Sequence, residues 1–325
     1  MIQLKKKLTL SIIVPVHNSE NTLENCLNSI LIQDVDEIIL VDDHSTDDSE
    51  IIMENHKNDP RVHCYKSDGY GVSAARNYGL AHASCDIIGF CDSDDTEEMG
   101  MSEIVKKEFS KRQGIEVLIT AFNTLVYTDN TVIREVHRIR GEKRFGKEEI
   151  IEHVICDSDI MGSVWNKFFK KNILINIEFD RQLTHCEDMD FVIRALLNCE
   201  DYDVFASTYI TYNYIHREDS ATNDLSKIID HKTGELKYNV AMYKILSLNG
   251  ISEEIRKYIY YNIFLLSLSH ITRYDLPEKT EIILKKHLAD YKRYFFSLFR
   301  IAKKNNIKCL IKLLFRIRNR RLFAW

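Results

Sequence analysis

Leu8-Thr9-Leu10-Ser11-Ile12-Ile13-Val14-Pro15-Val16-His17-Asn18 is the stretch that decides the fold. Up to Val16 it is a run of apolar and β-branched residues, the composition of a strand buried on both faces. Outward from it, Glu20–Ile32 sets Leu23, Leu27, Ile30 and Leu31 at helical spacing, and Glu37–Val41 is a second apolar strand. Asp47–His56 reads as a helix with Ser45 or Thr46 as its cap, Arg61–Tyr65 as a strand, Val72–Ala83 as a helix and Asp86–Phe90 as a strand. Strands alternating with helices in this way predict an α/β fold, a mostly parallel sheet covered on both faces.

Beyond residue 90 the pattern changes. Glu116–Phe122 and Leu125–Val132 alternate around Thr128-Asp129-Asn130, which predicts a hairpin-like return. Lys147–Ile155, Val164–Lys171 and Asp188–Asn198 read as helices and Val204–Ile215 as a late strand. From Leu225 onward the period is helical, so residues 1–224 are expected to form the α/β domain and 225–325 a helical C-terminal region.

Composition narrows the classes. With 45% apolar and 10% aromatic residues, 11 Gly and 3 Pro in 325, the chain is neither disordered nor collagen-like. No apolar run reaches the roughly 18 residues of a membrane span, and no signal-like segment follows the basic start. The eight Cys form no CxxC pair and read as reduced thiols of a cytoplasmic protein. The net charge of −5 hides an asymmetry: residues 291–325 hold 11 Lys/Arg and no Asp/Glu, leaving 33 basic against 49 acidic residues in the rest.

In open parallel sheets ligands bind beyond the carboxyl ends of the strands. Three of those ends carry polar groups: His17-Asn18 with Glu20 beyond, Asp42-Asp43, and Asp92-Ser93-Asp94-Asp95. Asp92 and Asp94 are two apart, so extended backbone points them the same way. Hard carboxylate oxygens at one point suit Mn²⁺ or Mg²⁺ carrying phosphate oxygens; the alternative is a solvated acidic loop. No glycine-rich phosphate loop is present.

These motifs resemble family 2 glycosyltransferases. Ser11-Ile12-Ile13-Val14-Pro15-Val16-His17-Asn18, Ile39-Leu40-Val41-Asp42-Asp43-His44-Ser45-Thr46-Asp47, Gly71-Val72-Ser73-Ala74-Ala75-Arg76-Asn77-Tyr78-Gly79 and Phe90-Cys91-Asp92-Ser93-Asp94-Asp95 follow one another in the family's order. Trp165-Asn166-Lys167, Glu187-Asp188-Met189-Asp190-Phe191 and Tyr212–Thr222 resemble acceptor-side motifs of bacterial capsular polysaccharide and lipooligosaccharide members. The resemblance implies a GT-A fold, a UDP-sugar donor, a divalent metal and inversion at the anomeric carbon. It places Pro15, Val16, Asp43 and Arg76 around the uridine with Glu20 nearby. Asp92 would face the ribose beside Ser93, Asp94 would hold the metal, and Arg217 would approach the diphosphate. Asp188 would be the general base with Glu187 orienting it, and Trp165 and Asn166 would meet the acceptor. His44 stands where the family commonly has Gly, and His185-Cys186 precedes Glu187 where a Gly is common.

Each of these residues has a plainer reading. Glu187-Asp188 could be an acidic first turn favoured by the helix dipole. Arg76 and Asn77 could anchor a helix to neighbouring loops, Trp165 could be core, and His216 a structural histidine or an extra metal ligand. The expected function is transfer of a sugar to a glycan acceptor, lipid-linked, in surface-polysaccharide synthesis, with no nucleic-acid partner. The alternatives are a polyprenyl-phosphate sugar transferase and a catalytically inactive sugar-nucleotide-binding scaffold. In the tail, Ile307, Leu310, Ile311, Leu314 and Ile317 share one helical face and Lys308, Lys312, Arg316 and Arg320 another. That pattern predicts a basic amphipathic helix on an anionic membrane surface, the inner face of the cell membrane; packing on the acidic body or homo-oligomer formation is the alternative.

Overall fold

The computed structural model describes residues 7–128, 131–156, 159–216 and 228–298. It divides into two compact units, Met1–Ser220 and Ala221–Trp325.

The first unit is built on β1 (Leu10–Val16), β2 (Glu37–Asp42), β3 (Val62–Lys66) and β4 (Ile87–Phe90), which pair in parallel in the order β3-β2-β1-β4. All seven residues of β1 and all six of β2 are buried, as unalternating apolar runs require. Helices α1 (Leu23–Leu31), α2 (Ser49–Asn55) and α3 (Val72–His82) are the crossovers. Ser45 and Thr46 do not cap α2. They bind the end of β1 instead: Asn18 donates its N–H to Ser45 Oγ at 3.1 Å, and Thr46 donates its N–H to Asn18 Oδ1 at 2.8 Å. Asp47 accepts from the Ser49 N–H in their place.

After β5 (Thr96–Glu97) and α4 (Met101–Lys111), the sheet continues with β6 (Val117–Tyr127), β7 (Val132–His137) and β8 (Lys143–Phe145). Then come α5 (Lys147–Cys156), β9 (Lys167–Lys170), a 3-10 turn at Lys171–Leu174, α6 (Glu187–Asn198) and β10 (Val204–His216). Two expectations need correction. Val164–Lys171 is not a helix: Lys167–Lys170 is a strand inserted antiparallel between β4 and β6, and this buries Phe168 and Phe169 completely. The strand β6 does not end at Phe122 but runs to Tyr127, held by β7 on one side and β10 on the other, so the return strand starts at Val132.

The second unit has three described helices, α7 (Lys237–Leu246), α8 (Glu253–Arg273) and α9 (Glu278–Leu298). Tyr261, Phe264, Leu268, Leu284 and Leu288 supply its core. Ser252 caps α8 by accepting the Ile255 N–H. Among the described residues no helix is long and apolar enough to cross a membrane.

One buried side chain opposes the fold. Glu97 is 4% exposed, and neither carboxylate oxygen has a hydrogen-bond partner. Burial, reinforced by neighbouring Asp95, pushes its carboxyl well above the usual carboxylate range. The folded protein therefore keeps Glu97 protonated where the unfolded chain, ionising near 4.5, releases its proton. Its contribution to stability is complete below that value and is lost as pH rises. Glu97→Gln removes the titration. Its melting temperature should exceed that of the parent by a margin that widens from about pH 5 to about pH 8; a constant or reversed gap would show that Glu97 ionises without penalty.

Candidate active site

The carboxyl ends of β1, β2 and β4 form one rim, and α3 brings a cation to it. Gly79 allows this approach: a Cβ there would lie 2.5 Å from Ile13 Cγ2, so only glycine lets α3 press this closely on β1. One turn earlier, Arg76 is 3% exposed. Its Nη2 donates to Asp92 Oδ1 at 2.8 Å, and its Nη1 to Glu187 Oε1 at 3.2 Å and Asp188 Oδ1 at 2.5 Å. The strand-end aspartate and the acidic first turn of α6 thus meet on one guanidinium.

Asn77 fixes the other side of this junction. Its Nδ2 donates to the Phe179 carbonyl at 2.8 Å, and its Oδ1 accepts the Phe179 N–H at 2.6 Å. This double clasp ties α3 to the segment that leads into α6. That segment enters the helix through Cys186, whose φ of 58° lies in the left-handed region. His44 has φ 57°. At both residues the backbone takes the conformation that Gly favours, at a cost of about 1–2 kcal/mol each for an L-residue. The His44 ring stacks on Tyr70 with centroids 4.2 Å apart, a contact Gly would lack.

Three carboxylates around one cation leave net negative charge. Asp188 is pushed up to about 7, chiefly by burial; Arg76 lowers it, while Glu187 and Asp92 raise it. For Arg76, burial opposes the charge, but Asp188, Asp92 and Glu187 outweigh it and raise its pKa.

The other expected site residues lie as follows. Pro15 and Val16 are buried at the end of β1. Asp43 is 7% exposed and accepts the Gly71 N–H at 2.9 Å, joining the second strand end to the start of α3. Glu20 is exposed and accepts the Asp48 N–H at 3.1 Å, and Ser93 Oγ lies 2.7 Å from Ser19 Oγ. Asp94 is exposed and borders a cleft of about 390 Å³ that Asn21, Thr22, Tyr127 and His216 also line. Among the described residues no three His, Cys, Asp or Glu gather as a metal site. Arg217 lies outside the described residues, as does the amphipathic tail beyond Leu298.

Trp165 and Asn166, expected against the acceptor, are 4% and 0% exposed. Trp165 stacks on Tyr212 with centroids 4.5 Å apart and meets Phe122 edge-on. Asn166 donates to the carbonyls of Thr120 and Ile160. Both support the sheet from within. Two residues without an expected role also matter. Tyr212 donates its hydroxyl to Asp95 at 2.8 Å and accepts the Asp92 N–H at 3.2 Å, which shapes the Asp92–Asp95 turn. Lys167 is fully buried beside the first turn of α6. The strand period of Lys167-Phe168-Phe169-Lys170 was the available signal for it, since alternation turns Lys167 and Phe169 to one face.

The family model described as Glycosyl transferase family 2 matches residues 11–176. Among relatives, the chain is 27% identical over 257 residues to the uncharacterized glycosyltransferase EpsJ of Bacillus subtilis, covering 75% of this chain and 72% of EpsJ. It is 29% identical over 221 residues to the minor teichoic acid biosynthesis protein GgaA of the same organism, covering 65% of this chain but 48% of GgaA. The crystal structure of Staphylococcus aureus TarS residues 1–349 aligns at a TM-score of 0.65 with 19% identity, over 89% of this chain and 81% of that one. TarS has also been crystallised with UDP-GlcNAc. The structural likeness bears out the GT-A fold. With that fold carrying a family match over just over half of its length, the chain belongs to glycosyl transferase family 2 and is a glycosyltransferase.

Proposed function

We propose that the protein is an inverting, metal-dependent transferase that moves a sugar from a UDP-sugar to a hydroxyl of a glycan acceptor in bacterial surface-polysaccharide or lipooligosaccharide synthesis. The observation that carries this reading is the junction of Asp92, Glu187 and Asp188 on Arg76 at the carboxyl ends of the strands. The UDP-GlcNAc complex of TarS and the teichoic acid role in the name of GgaA support the donor and acceptor classes.

Inversion is a single in-line displacement: the acceptor oxygen bonds to the anomeric carbon as the UDP oxygen leaves from the opposite face. Asp188 takes the acceptor proton. A base near 7 is matched to this work, since about half of it is ionised at neutral pH and it is still basic enough to hold a proton. Glu187 and Asp92, with Arg76 between them, keep its carboxylate in place. The rim carboxylates repel the donor's diphosphate, so counter-charge is required. Asp94 borders the cleft, and a hard carboxylate oxygen completed by donor phosphates fits Mn²⁺ or Mg²⁺. Asp94 would hold that ion, which when bound offsets charge on the departing diphosphate. Arg217, in the sequence just after His216, would add positive charge at the diphosphate.

A panel of UDP-sugars assayed for Mn²⁺-stimulated hydrolysis tests the reading without a known acceptor; UDP binding with no turnover of any donor would leave a binding module. Asp188→Asn keeps the shape but cannot take a proton, so turnover should fall by about 10²-fold or more while UDP affinity holds. Turnover of the parent should rise with pH through about 7, because the base acts ionised, and Asp188→Asn should lose that limb. Equal pH profiles for the two proteins would remove Asp188 from the role of base.

Asp94→Ala should abolish both turnover and the Mn²⁺ dependence of UDP binding with an unchanged fold. Metal-stimulated activity near that of the parent would take Asp94 out of the site.

The basic tail supports attachment to the inner face of the cell membrane, where a lipid-linked acceptor is presented. Each Lys or Arg near an anionic surface contributes about 1 kcal/mol. The full chain should sediment with anionic liposomes at low salt and be released at high salt. Truncation after Leu298 should abolish binding and spare donor hydrolysis; a full chain that ignores the liposomes overturns the attachment.

A further inference from the structure

Lys167 is an ammonium sealed inside the protein, 0% exposed, on the inserted strand β9. Its Nζ donates to the carbonyls of Ile160 at 2.9 Å, Met161 at 2.9 Å and Ser163 at 2.7 Å, and to Asn166 Oδ1 at 2.8 Å. Four acceptors converge on a group that has three N–H donors when charged and two when neutral, so the cage demands the charged form. Burial pulls the ammonium's pKa down to about 7, and Asp188 raises it.

The cage accounts for the shape of segment 160–164. Carbonyl oxygens turned toward one point repel one another unless a cation lies between them, and Met161 stands at φ 55° to complete the turn. Gly162 then lies so close to α6 that a Cβ would fall 2.6 Å from Met189 Cβ. Val164, the next residue but one, directs its N–H at Asp188 Oδ2, 3.4 Å away. Arg76 holds Oδ1 of the same carboxylate. The two oxygens of Asp188 are therefore fixed from opposite sides, one by α3 and one by the segment wrapped around Lys167.

We infer that Lys167 is a positioning residue for sugar transfer: by gathering the carbonyls of Ile160, Met161 and Ser163 it presses segment 160–164 onto the first turn of α6 and holds the Val164 N–H on Asp188, fixing the direction from which the carboxylate meets the acceptor hydroxyl. This rests on Asp188 being the base. The groups that face that carboxylate are Arg76 from α3, Asp92 from the end of β4, Glu187 and Cys186 at the start of α6, and Lys167 from β9. Loss of the Lys167 charge and of the Val164 N–H acts in one direction, raising the pH at which Asp188 ionises.

The test uses the full chain hydrolysing whichever UDP-sugar the panel identifies, with water in the acceptor's place. Measured for each variant are the pH dependence of kcat and the affinity for UDP. Lys167→Met should lower kcat at neutral pH by about 10²-fold, the scale of a small misplacement of a reacting group. It should leave UDP affinity unchanged and move the acidic limb to higher pH. Gly162→Ala keeps the cage but pushes the segment off Met189, and should likewise lower kcat without weakening UDP. Lys167→Met with the parent's kcat overturns the inference, as does a lower kcat with an unmoved acidic limb, which is general loosening. If Lys167→Met does not fold, Gly162→Ala decides: full kcat there overturns the inference. Asp188→Asn is run alongside. If it retains activity, the base assignment falls and takes this inference with it; if it is inactive while Lys167→Met is normal, the inference falls alone.

Discussion

A guanidinium shared by three carboxylates is the constraint around which the first unit is arranged. Arg76 is buried on α3, Asp92 ends β4, and Glu187 and Asp188 begin α6. A buried cation recovers its lost hydration only through well-placed partners, and breaking such a group by removing one member costs about 3–5 kcal/mol. Everything that lets Arg76 reach this depth is therefore held in place with it. Gly79 brings α3 onto β1, Asn77 clasps the backbone at Phe179, and Cys186 turns the chain into α6. The same cluster sets the chemistry. Burial raises the proton affinity of Asp188 toward neutrality, Arg76 opposes that rise, and Glu187 and Asp92 add to it.

The β1–β4 half was legible in the sequence because two periodicities agree there. Unalternating apolar runs mark doubly covered strands, and the intervening i, i+3, i+4 patterns mark the crossovers. Observed bounds differ from the expected ones by at most three residues, as with α1 at Leu23–Leu31 against Glu20–Ile32. The failure at Val164–Lys171 has a local cause. Val164, Trp165, Phe168 and Phe169 fit a helical stripe as well as a strand, and only the gap between β4 and β6 decides the matter. Likewise β6 runs unbroken through Asn123 and Thr124 to Tyr127, paired with the neighbouring β7 and with β10, about 90 residues later.

The site was legible as a set of acids at strand ends and less so as a set of partnerships. Asp92 and Asp94 stand out by position and Glu187 and Asp188 through the family resemblance, whereas the bond from Arg76 to Asp188 joins residues 112 apart and leaves no mark in spacing. The motif Trp165-Asn166-Lys167 misleads in an instructive way. The resemblance gave Trp165 and Asn166 to the acceptor, with core packing as the plainer reading of Trp165, yet Trp165 is stacked on Tyr212, and Asn166 and Lys167 donate to backbone carbonyls. Buried polar side chains that satisfy irregular backbone look like surface chemistry when read in one dimension.

The two aspartates of Asp92-Ser93-Asp94 are two residues apart and would be expected to act as one ligand pair, but they have different surroundings. Asp92 has Oδ1 on Arg76, and its backbone N–H on the Tyr212 hydroxyl. It thus belongs electrostatically to the base. Asp94 is exposed at the cleft it shares with His216. Under the proposed mechanism this divides the labour: Asp94 meets the donor's counter-ion, while Asp92 transmits the state of the donor site to Asp188 through one shared guanidinium. A donor that brings a cation toward Asp92 weakens that carboxylate's hold on Arg76 and strengthens the pairing of Arg76 with Asp188. The base would then ionise more readily once the donor is bound, which is the order of events that inverting transfer to an acceptor hydroxyl requires.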